Sequence, residues 1–165
     1  MSDDLRAAAA TVLDLCRARG LKVATAESCT GGLVAGALTD IAGSSDVVDR
    51  GFVTYSNEAK QQMLGVPAGI LREHGAVSRE TVEAMARGAL GNGNADLAVA
   101  ITGIAGPGGG SADKPVGMVH FAAASRGGKL THAEIRYGDI GRSAVRQKSV
   151  LQALAMLKEL AEKHG

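Results

Sequence analysis

The stretch that decides the fold is Leu21-Lys22-Val23-Ala24-Thr25-Ala26-Glu27-Ser28-Cys29-Thr30-Gly31-Gly32, which precedes an alanine-rich segment at residues 33–38. Residues 21–25 are typical of a short strand, and residues 33–38 of the first turns of a helix. Ser28 therefore lies at a strand-to-helix junction. The first N–H groups of a helix have no partner within it and carry the positive end of its dipole. They can bind a phosphate, a carboxylate or a developing oxyanion, although serine is also an ordinary helix N-cap.

Helices and strands alternate along the rest of the chain. The predicted strands are residues 21–25, 52–55, 97–101, 116–124 and 130–137. The predicted helices begin after Ser2 or Asp3, near residue 33, after Ser56 or Asn57, after Ser78, and near Gly141. The continuous apolar run at 97–101 indicates a central strand buried on both faces, and the last two strands indicate a hairpin. We therefore expect an α/β fold, a single-domain three-layer α/β/α sandwich around a mixed β-sheet, over residues 1–165.

Composition argues against nucleic acid and membranes as partners. The 165 residues carry a formal net charge of +1, and aromatic residues make up only 2% of the chain. Neither a strong positive field nor stacking platforms for bases are therefore expected. Residues 1–4 are acidic, and no apolar run reaches the ~18 residues that span a bilayer. Cys16 and Cys29 lack paired spacing, so we expect a reduced protein in the cytoplasm.

The carboxyl ends of the predicted strands indicate a shared crevice. In an open α/β sheet these ends meet at one edge, which would bring together Ser28, Tyr55, Lys60 and Thr102. The four histidines lie away from these loops, so a Ser-His-Asp triad is not expected. No set of His, Cys, Asp or Glu has the spacing of metal ligands. We expect neither a metal nor another cofactor.

A serine nucleophile without histidine needs another base, and a neutral lysine is the candidate. Free lysine titrates near pH ~10.4, so a base working near pH ~7.5 needs a shift worth roughly 4 kcal/mol. Lys60 lies near the start of a predicted helix, where the positive dipole end disfavours its ammonium form. A solvated surface lysine is the other interpretation. Cys29 is an alternative nucleophile, because thiols near helix N-termini have lowered pKa values. The other interpretation of Cys29 is a small buried apolar side chain.

A glycine-rich segment follows the predicted central strand. Residues 103–115, called the glycine loop below, contain glycines at 103, 106 and 108–110 and prolines at 107 and 115. Their position directly after a buried strand favours a binding loop over a linker. A purely structural crossing between strands is the alternative.

Four segments resemble, in the same order, the successive motifs of the CinA C-terminal domain family, which includes the nicotinamide mononucleotide deamidases. They are TAESCTGG at 25–32, GFVTYSNEAK at 51–60, HGAVS at 74–78 and TGIAGPGGG at 102–110. The resemblance covers essentially the whole chain. It implies hydrolysis of the carboxamide of nicotinamide mononucleotide, which gives nicotinic acid mononucleotide and ammonia within pyridine-nucleotide salvage.

The same resemblance implies roles for individual residues. It makes Ser28 the nucleophile and Lys60 the base, with Tyr55 beside it, and it places Thr102 at the site. It also points to an arginine near the start of the last helix, for which Arg142 matches best and Arg146 is the alternative.

Physical chemistry suggests further substrate contacts. N–H groups near Thr30 and Gly31 can receive a tetrahedral oxyanion, and Gly31 and Gly32 leave room for close approach. Backbone and charged donors suit a ribose phosphate. The candidates for that role are Gly103, Gly106, Ser111, Lys114 and Arg142.

Two matters stay open at this stage. The chain could instead be a nucleotide-binding or interaction module without turnover, linked to competence or DNA damage as the family name suggests. Alanine- and glycine-rich helix surfaces would also permit close packing of two copies, so we expect a homodimer.

Overall fold

A five-stranded mixed sheet forms the centre of the molecule. The computed structural model describes residues 1–164, and Gly165, the last residue of the expected domain, lies outside them. The strands are β1 (Val23–Glu27), β2 (Val48–Val53), β3 (Leu97–Gly103), β4 (Met118–Ser125) and β5 (Leu130–Arg136). Their order is β2-β1-β3-β4-β5, in which β2, β1 and β3 are parallel and β4 pairs antiparallel with both β3 and β5. Strand β3, the predicted central strand, lies in the middle.

Helices cover both faces of this sheet. They are α1 (Asp3–Arg19), α2 (Leu33–Thr39), α3 (Asn57–Leu64), α4 (Ala68–His74), α5 (Arg79–Gly91) and α6 (Arg142–Glu162). Helices α1, α2 and α6 pack on one face, whereas α5 packs on the other with α3 and α4 against it. The expected three-layer α/β sandwich is confirmed.

Serine caps set the beginnings of several helices. The hydroxyls of Ser2, Ser56 and Ser78 accept hydrogen bonds from N–H groups three residues further on, at 3.3, 3.0 and 3.2 Å. Each cap satisfies one N–H group that the first helical turn leaves free. Gly20 ends α1 in the left-handed conformation, with φ of 66°. These predicted helix boundaries are confirmed.

Two elements differ from the prediction. Strand β2 runs from Val48 to Val53, earlier than the expected 52–55, because it is an edge strand whose polar residues suggested a loop. Helix α4 was not expected, since Pro67 follows α3 as a helix breaker. Pro67 instead has an extended conformation and precedes the first residue of α4. Proline is tolerated at a helix start because no N–H group is needed there.

The two faces of the sheet differ in side-chain size. The buried residues facing α5 are Ala24, Ala26, Ala98, Ala100, Ala122 and Ala124. The opposite face carries larger apolar residues, namely Val23, Leu97, Val99, Ile101, Val119 and Phe121. The α5 layer therefore packs on a surface of alanine methyl groups, which permits a close approach of helix and sheet.

Helix α3 also lies close to α5. A Cβ atom on Gly88 of α5 would lie 2.0 Å from the backbone carbonyl oxygen of Leu64, at the end of α3. Only glycine fits that crossing. Since Lys60 is one helical turn before Leu64, this contact helps to set how deeply Lys60 enters the molecule.

Candidate active site

Ser28 begins a tight turn, residues 28–32, called the serine turn below. The N–H group of Ser28 donates to the carbonyl oxygen of Ile101 at 3.0 Å, and the N–H group of Gly31 donates to the carbonyl oxygen of Ser28 at 3.0 Å. Gly31 and Gly32 have φ values of 56° and 106°, a region that favours glycine. The sequence thus holds the Ser28 hydroxyl at the end of β1 in a fixed turn.

A buried carboxylate, Glu27, fastens the serine turn to α2. It accepts hydrogen bonds from the Thr30 hydroxyl at 2.6 Å and from the N–H groups of Val34 and Ala35 at 2.9 and 3.1 Å. A negative charge at a helix N-terminus is favourable, and these donors replace the water lost on burial. Glu27 received no role from the sequence. The three-residue spacing from Glu27 to Thr30 before a helix was the available signal.

Lys60 brings its amine to the serine. Its side chain is 1% exposed, and Nζ lies 3.0 Å from Ser28 Oγ. The same nitrogen donates to the carbonyl oxygens of Thr54 at 2.9 Å and Tyr55 at 3.4 Å. A neutral amine has two N–H donors and one lone pair. These three neighbours suit that form, with two carbonyls for the donors and one hydroxyl for the lone pair.

The electrostatic surroundings of Lys60 favour the same form. Burial lowers the pKa of Lys60 below its ordinary value, and the nearby Cys29 opposes this less strongly. Among residues 1–164, no carboxylate forms an ion pair with its amine. A lysine without a counter-charge that is removed from water loses its proton more readily.

Cys29 is placed poorly for nucleophilic attack. Burial raises the pKa of its thiol to about 12, although Arg146 and Lys60 lie near enough to oppose the shift. The thiol also belongs to the larger apolar core. Cys29 is therefore a protonated, buried side chain at neutral pH, in keeping with its interpretation as a small apolar residue.

The Ser28–Lys60 pair opens into a cavity of about 270 Å³, called the cleft below. The cleft is lined by Ser28, Cys29, Tyr55, Lys60, Ala76, Val77, Thr102, Gly103, Ile104, Ala105, Gly106, Gly108, Gly109 and Arg142. Seven of the expected site residues are thus brought together: Ser28, Tyr55, Lys60, Thr102, Gly103, Gly106 and Arg142. Its walls come from the ends of β1 and β3, the start of α3, the glycine loop and the start of α6.

Arg142 and Tyr55 span the mouth of the cleft. Arg142 donates through Nη1 to the carbonyl oxygen of Gly106 at 2.8 Å, and through Nη2 to the Tyr55 hydroxyl at 2.9 Å. Tyr55 is 61% exposed, so its ring is available to a ligand. Thr102, deeper inside, donates its hydroxyl proton to the carbonyl oxygen of Ala76 at 2.9 Å.

Five expected substrate contacts lie outside the cleft lining: Thr30, Gly31, Gly32, Ser111 and Lys114. The Thr30 hydroxyl is bound to Glu27, and the Gly31 N–H group is bound to Ser28. Ser111 makes a turn with Lys114, whose carbonyl oxygen accepts its N–H group at 2.9 Å. The hydroxyls of Thr30 and Ser111 and the N–H group of Gly31 are therefore used within the loops themselves.

The histidines lie outside the cleft lining as well. His120 and His132 contact each other on β4 and β5, with Nδ1 and Nε2 2.9 Å apart. Within residues 1–164, no three His, Cys, Asp or Glu side chains are grouped so that they could hold a metal ion.

Fold and site together define an α/β sandwich protein that holds a serine hydroxyl and a buried lysine amine 3.0 Å apart in one cleft. The family model of the CinA C-terminal domain matches residues 5–161. The chain belongs to the CinA C-terminal domain family.

Similar proteins carry two kinds of name. Nicotinamide-nucleotide amidohydrolase PncC of Escherichia coli K12 is 58% identical over 142 residues, which are 86% of this chain and 85% of that protein. A putative competence-damage inducible protein of Caldicellulosiruptor bescii is 48% identical over 149 residues, 90% of this chain and 36% of that protein. The chain therefore spans about a third of the latter's length.

A solved structure has the same fold. The crystal structure of the competence/damage inducible protein CihA from Agrobacterium tumefaciens matches with a TM-score of 0.96 at 57% identity. The match covers 97% of each chain.

In the described part of this chain, no helix combines the length and the apolar character needed to cross a membrane.

Proposed function

We propose that this protein is a nicotinamide-nucleotide amidohydrolase that converts nicotinamide mononucleotide and water into nicotinic acid mononucleotide and ammonia. The observation that carries the proposal is the 3.0 Å contact between Ser28 Oγ and Lys60 Nζ in the cleft. The name of the Escherichia coli relative, which this chain covers over 85% of its length, supports the choice of substrate.

The first half of the reaction forms an acyl-enzyme. The neutral Lys60 amine takes the proton of the Ser28 hydroxyl, and Oγ forms a bond to the carboxamide carbon. The carbonyl oxygen becomes an oxyanion, which N–H groups of the serine turn stabilise. The Lys60 ammonium then gives its proton to the amide nitrogen, the C–N bond breaks, and ammonia leaves.

The second half restores the enzyme. A water molecule attacks the ester carbon while Lys60 accepts one of its protons. The bond to Oγ breaks, Oγ receives the proton from Lys60, and the pyridine carboxylic acid leaves and gives its remaining proton to water. Each half thus uses Lys60 first as a base and then as an acid.

The charges of the cleft suit an anionic nucleotide. With Lys60 neutral, Arg142 is the charged side chain in its lining, as far as the described residues show, and it is cationic. Arg142 lies at the mouth, beside the glycine loop, where a 5′-phosphate can be bound while the carboxamide reaches Ser28. The exposed ring of Tyr55 lies on the same side and offers a face to the cationic pyridinium ring.

An ammonia assay tests this function. The purified protein is incubated with nicotinamide mononucleotide, and we expect stoichiometric ammonia and nicotinic acid mononucleotide. Ser28→Ala should lower kcat by at least about 10³-fold, as removal of nucleophiles does elsewhere. Cys29→Ala, its neighbour, is the matched control and should keep the rate within about threefold.

The outcomes separate an enzyme from a binding module. No ammonia from the wild-type protein, together with calorimetric binding of the nucleotide, would show a binder and contradict the proposal. Activity that survives in Ser28→Ala would reject Ser28 as the nucleophile.

The expected setting of the enzyme belongs to the same proposal. We place it in the cytoplasm, in keeping with its two free cysteines, as one domain over residues 1–165. Helix surfaces with small residues favour a homodimer, which light scattering on the purified protein measures.

A further inference from the structure

Arg146 holds the back of the serine turn. It lies on α6 one helical turn after Arg142. Its Nε donates to the carbonyl oxygen of Cys29 at 3.1 Å, and its Nη2 lies 3.4 Å from the carbonyl oxygen of Thr30. One rigid guanidinium thus binds two successive peptide groups directly after Ser28.

Gly31 lies against this guanidinium. A Cβ atom on Gly31 would be in van der Waals contact with Nη2 of Arg146, at 3.4 Å, and the φ of 56° favours glycine there. Arg146 is also absent from the cleft lining and instead lines a separate surface recess with Met1, Leu33 and Gln147. The serine turn therefore lies between Arg146 and the cleft.

The bond to the Cys29 carbonyl fixes the direction of an N–H group. A trans peptide group is planar, so the N–H of Thr30 points away from the carbonyl oxygen of Cys29. Because Arg146 holds that oxygen on the recess side, the Thr30 N–H points toward the cleft side. Among the described residues, nothing accepts a hydrogen bond from this N–H. The Gly31 N–H, by contrast, is already bound to Ser28.

We propose that Arg146 is a positioning residue that orients the Thr30 N–H group toward the oxyanion formed on Ser28. This inference rests on the proposed amide hydrolysis. Donors for an oxyanion are effective only when they are held in place before the reaction. A peptide group beside a glycine turns easily, and the two bonds from Arg146 prevent that motion. Arg146 acts through the backbone and does not touch the substrate.

Arg146→Met tests this role, because it keeps the length of the side chain and removes both bonds. We expect kcat to fall by about tenfold to 10²-fold, while KM stays within about twofold, since the oxyanion exists only in the transition state. Arg146→Lys should lie between, because an ammonium group cannot match the planar fork of a guanidinium. Lys148→Met is the control, since it removes a cation from an exposed position of the same helix.

Two binding probes separate positioning from a general structural role. The first is an analogue with a boronic acid in place of the carboxamide, which forms a tetrahedral adduct with Ser28. The second is nicotinamide mononucleotide itself, bound to proteins that also carry Ser28→Ala. In Arg146→Met, the affinity for the boronate should fall by the same factor as kcat, and that for the nucleotide should stay within about twofold.

Contrary results are equally clear. An unchanged kcat in Arg146→Met, or an equal loss of affinity for both probes, overturns the positioning role. If Arg146→Met does not fold, the same split is required of Arg146→Lys. Wild-type protein that releases no ammonia would instead overturn the proposed function itself.

Discussion

At the scale of single residues, the protonation of Lys60 decides the proposed reaction. Burial lowers the pKa of its amine, and no carboxylate in the described chain counters this effect. We expect kcat/KM for ammonia release to rise with pH through that lowered pKa, since the neutral amine is the active form. Lys60→Arg should be inactive throughout, because guanidinium stays charged.

Rate measurements across the neutral range check this prediction. The wild-type profile should show an acid limb that follows one ionisation and a plateau above it. A rate that is independent of pH on the acid side, or an active Lys60→Arg enzyme, would contradict the role of Lys60 as base.

The same residue predicts how stability depends on pH. Because the folded protein lowers the pKa of Lys60, the unfolded chain binds the proton more strongly. The free energy of unfolding should therefore rise with pH between the lowered pKa and the ordinary lysine pKa, and the full penalty remains below that window. We expect Lys60→Met to be more stable than the wild type near pH ~6, with a smaller gain near pH ~9.

Urea unfolding at both pH values measures this difference. Lys148→Met, which removes an exposed amine, should show no such gain. Equal stability of Lys60→Met and wild type at both pH values would mean that the buried amine carries no such penalty.

At the scale of elements, the crossing of α3 and α5 positions the base. A methyl group on Gly88 would meet the Leu64 carbonyl oxygen at 2.0 Å, so Gly88→Ala must push α3 outward. We expect a loss of about 1–3 kcal/mol in the free energy of unfolding. We also expect kcat to fall by about tenfold or more, because Lys60 moves away from Ser28.

Gly91→Ala is the matched control on the same helix, since nothing lies within 4 Å of an added Cβ there. It should keep the wild-type kcat and gain up to about 1 kcal/mol in stability from better helix propensity. Steady-state rates and urea unfolding of both variants test the pair. Wild-type kcat in Gly88→Ala would show that α3 does not depend on this crossing.

Local signals explain which elements the sequence could predict. Serine caps, Gly20 and the apolar run of β3 act within a few residues, so α1, α3, α5 and β3 were expected near their observed positions. Strand β2 shows its pattern only beside β1, because an edge strand with Asp49, Arg50 and Gly51 looks like a loop by itself. Helix α4 was not predicted for a similar reason. A proline can end one helix or begin the next, and the sequence near Pro67 does not show which of the two applies.

At the scale of the whole molecule, Arg142 joins distant parts of the chain at the mouth of the cleft. It contacts Tyr55 and Gly106, which are 87 and 36 residues away. We expect Arg142→Met to raise KM for nicotinamide mononucleotide by about tenfold or more, because a charged hydrogen bond to phosphate is lost. The KM for nicotinamide riboside, which has no phosphate, should change by less than about threefold.

Comparison of the two substrates checks the assignment. An equal rise in both KM values would mean that Arg142 shapes the cleft without binding the phosphate. Arg126, which binds backbone carbonyls of Leu90, Gly93 and Ala95 at the opposite end of the sheet, offers a control as Arg126→Lys.

Part of the cleft could be predicted from the sequence. Ser28, Lys60 and Thr102 follow predicted strands, so their convergence follows from the rule that strand ends meet at one edge. The same rule could not predict the contacts of Glu27 and Arg146. Both bind backbone groups, and the orientation of these groups is set only when the turn has folded. The Thr30 hydroxyl and the Gly31 N–H group showed the reverse, since both are bound within the turn and are not free for the substrate.

The methyl-lined face of the sheet limits how this protein can change over evolution. A longer side chain in place of one of the six buried alanines would press α5 away from the sheet, and a shorter one would be glycine, which weakens a strand. We therefore expect fewer substitutions at these strand positions than in the opposite half, whose valines, leucines and phenylalanine can exchange volume among many partners. Thermally adapted relatives should accordingly differ more in the layer of α1, α2 and α6 than beneath α5.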